Sequence, residues 1–129
     1  RPLARASLSP AMLTPAAGSF TGFDLLHLSG GDVALGSPLS SGNGRPLVVP
    51  TSGFYMLSLN VAALSTESHT LHVSRNGSGD IVSHAGGAGI SSSMAIVWLD
   101  AADTLSLRHE GTIEYQFGYG KTELCLAMV

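Results

Sequence analysis

The chain has 129 residues, with six Lys or Arg against nine Asp or Glu and a formal net charge of −3; that length suits a single domain, 1–129, with a core of its own. Scattered basic residues and a negative balance exclude a nucleic-acid footprint, and no apolar run approaches the ~20 residues that span a bilayer. Yet 44% of residues are hydrophobic and only 12% charged, with a mean hydropathy of +0.29, so the excess apolar surface calls for a subunit interface.

Gly, Ser, Pro and Asn punctuate the sequence, and the opening segment "SPAMLTPAAG" is broken by Pro10 and Pro15, which predicts an all-β chain. The first half offers three short strands, "RASLS", "DLLHL" and "LVV". Neither a signal peptide nor a targeting motif is visible at "RPLARASLSP", and the chain reads as the C-terminal head of a longer protein. The first long strand, "GFYMLSLNV", carries Tyr55, Leu57, Leu59 and Val61 on one face and Phe54, Met56, Ser58 and Asn60 on the other, because strand side chains alternate with a period of two. Both faces begin apolar, whereas a sheet with one side in water alternates apolar and polar.

The strands that follow are of two kinds. "HTLHVSR" and "TLSLRHE" alternate, with Leu71, Val73, Leu105 and Leu107 inward; "DIVSHA" is mixed; "SMAIVWL" and the last strand, "TELCLAMV", are apolar on both sides. This order fits a two-layer antiparallel jelly-roll sandwich in which one layer faces solvent and the other is covered twice. Its second cover is expected to be another copy of the chain, with Tyr55 and Leu57 at the interface. The aromatics of "EYQFGYGK", Tyr115, Phe117 and Tyr119, are assigned to the same interface near the axis, because aromatic side chains supply large buried area.

Asn76-Gly77 between two strand-like runs predicts a hairpin turn whose central residues adopt positive φ. Asn76-Gly77-Ser78 is at the same time an N-glycosylation acceptor. His69 and His72, three apart on a strand, face opposite sides and cannot share a metal. His84 and Asp80, four apart, share a face if their segment is continuous, as a hydrogen-bonded surface pair. "GGAGISSS" opens no helix and lacks the lysine of a phosphate loop, so it is read as a flexible connection. No nucleophile elbow, zinc-protease motif or paired carboxylates are present, and no enzyme activity is expected. Cys125, the only cysteine, cannot form an intrachain disulfide and is expected as a buried small hydrophobe.

"VVPTSGFYMLSLNV" resembles the P-x-x-G-x-Y-x-F signature of the complement C1q-like globular head, with Pro50, Gly53 and Tyr55 in register. "SMAIVWLDAADTLSL" is similar to that family's strand-turn-strand through Trp98, Asp103, Leu105 and Leu107, departing from it at Ala102, where the family usually has Gly. The resemblance covers roughly the C-terminal two-thirds of the chain. It implies a C1q/tumour necrosis factor-like jelly roll, trimeric and acting outside cells or on a cell or spore surface. Two functions stay open: a homotrimeric head that binds an extracellular protein, receptor or glycan, and a structural trimerisation or coat module of the spore-surface or fibre-tip kind. Because related heads hold calcium near the axis, the resemblance also implies a possible calcium site; Asp100, Asp103 and Glu114 are the oxygen donors that suit a hard cation.

Overall fold

The computed structural model describes residues 1–8, 18, 20–41, 43–63, 69–86, 89–110 and 122–129. Eleven strands run in the order β1 (Leu3–Leu8), β2 (Phe20–Thr21), β3 (Phe23–Gly30), β4 (Ala34–Leu35), β5 (Leu47–Val48), β6 (Gly53–Ala63), β7 (His69–Arg75), β8 (Gly79–Gly86), β9 (Gly89–Leu99), β10 (Thr104–Glu110) and β11 (Glu123–Met128). They form two antiparallel sheets: a five-stranded one ordered β3-β1-β11-β6-β9, and a six-stranded one ordered β4-β5-β10-β7-β8 with β2 attached to β10. From β6 onward the chain crosses between layers repeatedly: β6 lies in the first sheet, β7 and β8 in the second, β9 in the first, β10 in the second and β11 in the first. That is the jelly-roll architecture which the alternating and two-sided strands predicted.

The core lies between the sheets. Tyr55, Leu57, Leu59, Val61, Leu99, Leu124 and Leu126 from the five-stranded sheet meet Leu47, Leu71, Val73, Val82, Leu105 and Leu107 from the other. Pairing fixes these faces: Leu57 stands opposite Leu126 on β11 and Ala95 on β9, so one phase of all three strands points inward together.

The turn after β7 follows its sequence signal. Asn76 and Gly77 adopt φ of 55° and 68°, which Asn and Gly tolerate better than other residues, and Ser78 N donates to Arg75 O at 3.1 Å. Ala102 also has positive φ, at 72°. It is the position where the C1q-like pattern carries Gly, and the structure supplies the reason: the turn from β9 to β10 needs a left-handed residue whichever side chain occupies it.

Two expectations are corrected. β9 begins at Gly89 and pairs with β6 from Ala63↔Gly89 onward, so "GISSS" is strand, not connection; residues 87–88 lie outside the described set. Asp80 and His84 do not share a face. The β7–β8 pairing shifts register between Val73 and Ser74, setting Asp80 opposite Ser74 but His84 opposite Leu71. That bulge adds one residue and flips the phase, turning Asp80 outward and His84 into the sandwich, where only 4% of it is exposed.

Candidate self-association face

The outward face of the five-stranded sheet is built from the second phase of its strands. β6 contributes Phe54 and Met56, β9 contributes Ile90, Met94, Ile96 and Trp98, and all six are exposed. Met94 and Ile96 show 66% and 61% of their surface, high values for large apolar side chains in the middle of a regular strand. Register makes the group contiguous: Phe54 stands opposite Trp98, and Met56 opposite both Ile96 on β9 and Ala127 on β11. The rings of Phe54 and Trp98 meet edge to face, centroids 5.1 Å apart at 82°. Isolated exposed apolar residues are ordinary, but a contiguous patch of this kind marks an interaction surface.

Tyr55 and Leu57, assigned to the interface from the sequence, are placed elsewhere. Both are fully buried within the single chain, and the Tyr55 hydroxyl donates to Thr51 O at 2.6 Å. Burial raises the Tyr55 phenol, partly offset by that hydrogen bond. The sequence held the deciding signal: the Tyr55 phase stays apolar as far as Val61, while the Phe54 phase turns polar at Ser58 and Asn60, and only the former suits the middle of a core. Tyr115, Phe117 and Tyr119 lie outside the described residues, as does Glu114.

Toward β1 and the start of β11 the face turns polar. Arg5 forks onto Glu123, Nε to Oε2 at 3.0 Å and Nη2 to Oε1 at 2.8 Å, and the Glu123 side chain is 2% exposed. Such two-point pairing offsets the desolvation of a buried carboxylate. Cys125 lies between them in phase, opposite Arg5 on β1 and Ser58 on β6. The cysteine is therefore half-buried on the outward face, not inside the core; its strand neighbours Leu124 and Leu126 point the other way. Burial first, then the Glu123 charge, raises its thiol, with Arg5 opposing.

At the Trp98 end the apolar patch is bordered by a polar cluster. Trp98 Nε1 donates to Asp100 Oδ1 at 2.9 Å; Arg75 Nη2 pairs with Asp100 at 2.9 Å and with Asp103 at 2.7 Å. Asn76 Nδ2 donates to Asp103 Oδ1 at 3.0 Å, while Asn76 Oδ1 accepts from Thr104 N at 2.9 Å. Burial alone would raise the Asp103 carboxyl; hydrogen bonds from Asn76 and the Asp100 backbone, with the Arg75 charge, hold it below the usual range. The structure thus brings Asp100 and Asp103 together, but around a guanidinium. Among the described residues no three His, Cys, Asp or Glu side chains converge as a metal set. Asn76, the first residue of the Asn-Gly-Ser sequence motif, is exposed at the hairpin tip while its amide fastens that tip to the start of β10.

The six-stranded sheet turns a polar surface outward. Arg108 binds Asp80 and also Glu110, at 3.2 Å, and His72 Nδ1 lies 2.6 Å from Ser83 Oγ. The hydrogen bond from Arg108 lowers the Asp80 carboxyl against the effect of burial, with His72 and the Arg108 charge adding to it.

No protein-family model matches the sequence, and no curated protein sequence matches it. Solved structures do match the fold. Eiger TNF from S. frugiperda superposes with a TM-score of 0.69 at 15% identity, over 100% of this chain and 94% of that one. Murine APRIL gives 0.69 at 16% identity, over 98% and 99%, and the globular domain of zebrafish complement 1qA protein gives 0.69 at 9%, over 100% and 98%. With that likeness extending over 98% to 100% of this chain, the protein has the jelly-roll fold of the C1q and tumour necrosis factor heads.

Proposed function

We propose that the chain is a non-enzymatic recognition head that assembles as a homotrimer through the outward face of its five-stranded sheet and presents its six-stranded sheet and loops to an extracellular protein, receptor or glycan. The observation that carries this reading is the contiguous set Phe54, Met56, Met94, Ile96 and Trp98, which the single chain leaves exposed. Burying one such side chain contributes about 1.5–3 kcal/mol, so covering the set in each of three copies supplies the surplus an obligate interface needs, on the order of 2,000 Å² or more of buried surface. The fold likeness supports the assembly, and the sequence resemblance supports the extracellular setting.

The test is mass in solution. Light scattering at micromolar concentration should return three times the chain mass, and Ile96→Asp should return the chain mass with the strand content intact, because that side chain lies outside the core. Leu57→Asp should instead unfold the chain. A wild-type monomer would end the proposal, and so would a trimer that Ile96→Asp leaves whole. A trimer that binds nothing on broad protein and glycan arrays would leave assembly itself as the function.

A further inference from the structure

On the outward side of the six-stranded sheet, away from the apolar face, lies a pocket of about 350 Å³. Its base is Thr104 and Ser106 of β10, one wall is Asn76 of the β7–β8 turn, and the other is Phe20 of β2 with Leu39 and Ser41 of the loop between β4 and β5. The volume falls at the lower end of the range for small-ligand sites.

The lining has a definite chemistry. Every described residue in it is uncharged: Arg108, the nearest cation along β10, pairs with Phe20 in register but spends its guanidinium on Asp80 and Glu110. What remains is one aromatic ring, one aliphatic side chain, several hydroxyls and an amide. An anion or cation would lose its hydration without a counter-charge. A neutral ring compound with hydroxyls on its edges and C–H groups on one face would not, since the hydroxyls exchange hydrogen bonds with Ser and Thr while the C–H face lies on the phenyl ring.

The walls are also held in place before any ligand arrives. The Asn76 amide is fixed by Asp103 and by Thr104 N, Ser41 Oγ donates to Phe20 O at 3.0 Å, and Leu39 N donates to Gly44 O at 2.9 Å. Preorganisation of this sort lowers the ordering cost of binding. Beside the base, Ser74 stands opposite Ser106 in the ladder, 1% exposed, and its hydroxyl has no hydrogen-bond partner.

The geometry points to a binding site for a neutral sugar unit, one per chain, in the pocket between Phe20 and Ser106. This deepens the recognition reading by naming a ligand class, and it rests on that reading only for avidity. A single site of this size binds weakly; three copies facing outward on one trimer raise the apparent affinity by the effective concentration that linkage creates. The pocket itself is formed within one chain.

The experiment uses unglycosylated protein made in bacteria, titrated with free N-acetylglucosamine, mannose and galactose at tens of millimolar, with backbone amide shifts as the readout. At least one sugar should shift Gly77, Thr104 and Ser106 together and saturate, with at least tenfold weaker binding in Ser106→Val and in Phe20→Ala. Should Phe20→Ala disturb β2, Thr104→Val serves in its place. Silence at these amides with all three sugars, or shifts that survive the substitutions, would overturn the site. Because the shifts are read chain by chain, a failed trimer and an empty pocket give different results.

Discussion

Acid should loosen this sandwich before it protonates the carboxylates, and the reason is a row of side chains on the inward face of the six-stranded sheet. His109 on β10 stands opposite Leu71 on β7, and Leu71 stands opposite His84 on β8. His84 reaches across the gap to β9, its ring nitrogens 2.6 and 2.7 Å from the hydroxyls of Ser93 and Ser91. A neutral imidazole can donate to one and accept from the other. Burial lowers the His84 pKa, and burial lowers that of His109 from 6.5 to about 4. The unfolded chain therefore takes up protons below pH 6.5 that the folded chain refuses, so stability is full above that pH and falls toward pH 4. For His109 the loss is about 2 kcal/mol at pH 5 and about 3 kcal/mol near pH 4, at 1.36 kcal/mol per unit; His84 adds in the same direction. Urea melts at fixed protein concentration should show the midpoint dropping by roughly 1 M between pH 7.5 and pH 5. His109→Leu should lose a large part of that dependence, whatever its stability at pH 7.5. The carboxylates act in a lower window: Asp80 and Asp103 have depressed folded values, so their contribution is present above about pH 3.8 and is lost only beneath it. An unchanged pH slope in His109→Leu would refute the argument.

Ala102 adopts φ of 72° and its N–H donates to Val49 O at 2.7 Å, so Ala102→Gly should relieve left-handed strain and raise stability by about 1 kcal/mol, readable as a melting shift of a few degrees; a lower melting temperature would show that the strain is not there. Cys125 should react slowly with a maleimide in the assembled protein and faster in Ile96→Asp, since the single chain leaves it half-buried on the outward face and the proposed second copy would cover the rest; equal rates would place the interface away from β11. Millimolar calcium or a chelator should leave the melting temperature of the protein unchanged, because a cation at Asp100 and Asp103 would have to displace Arg75 from both; a rise with calcium, as ligand linkage requires of a site confined to the folded state, would restore the site.

The strands from β6 onward were legible in the sequence because a period of two survives wherever one side faces a core: β7 and β10 were read with the ends they have, His69–Arg75 and Thr104–Glu110. β2 and β4, two residues each, carry no period at all and exist only because a neighbouring strand offers them partners, β10 for Phe20–Thr21 and β5 for Ala34–Leu35. The start of β9 was hidden for a different reason. Gly89, Ser91 and Ser93 look like loop residues, but Ser91 and Ser93 occupy inward positions as the partners of His84, so what reads as a break in the apolar pattern is a polar contact inside the sandwich.

The assembly face was half legible, and the half that failed is instructive. That some strands are apolar on both sides was plain, and it pointed to a second cover for the sheet. The sequence reading puts Tyr55 and Leu57 of β6 at the interface, but both faces of that strand begin apolar and the structure buries the Tyr55 phase in the core. On β6, however, the phase that runs apolar without interruption fills the core, whereas an interface between copies can end in polar residues at its rim. Tyr55, Leu57, Leu59 and Val61 meet the first condition and Phe54, Met56, Ser58 and Asn60 the second. The same rule sorts β11, where Leu124 and Leu126 face the core and the opposite phase runs from Ala127 through Cys125 to Glu123, paired to Arg5 at 2.8 Å. A face that changes from Trp98 and Ile96 at one end to an ion pair at the other has direction as well as area, and a neighbouring copy seated on it as proposed would have to match that polarity.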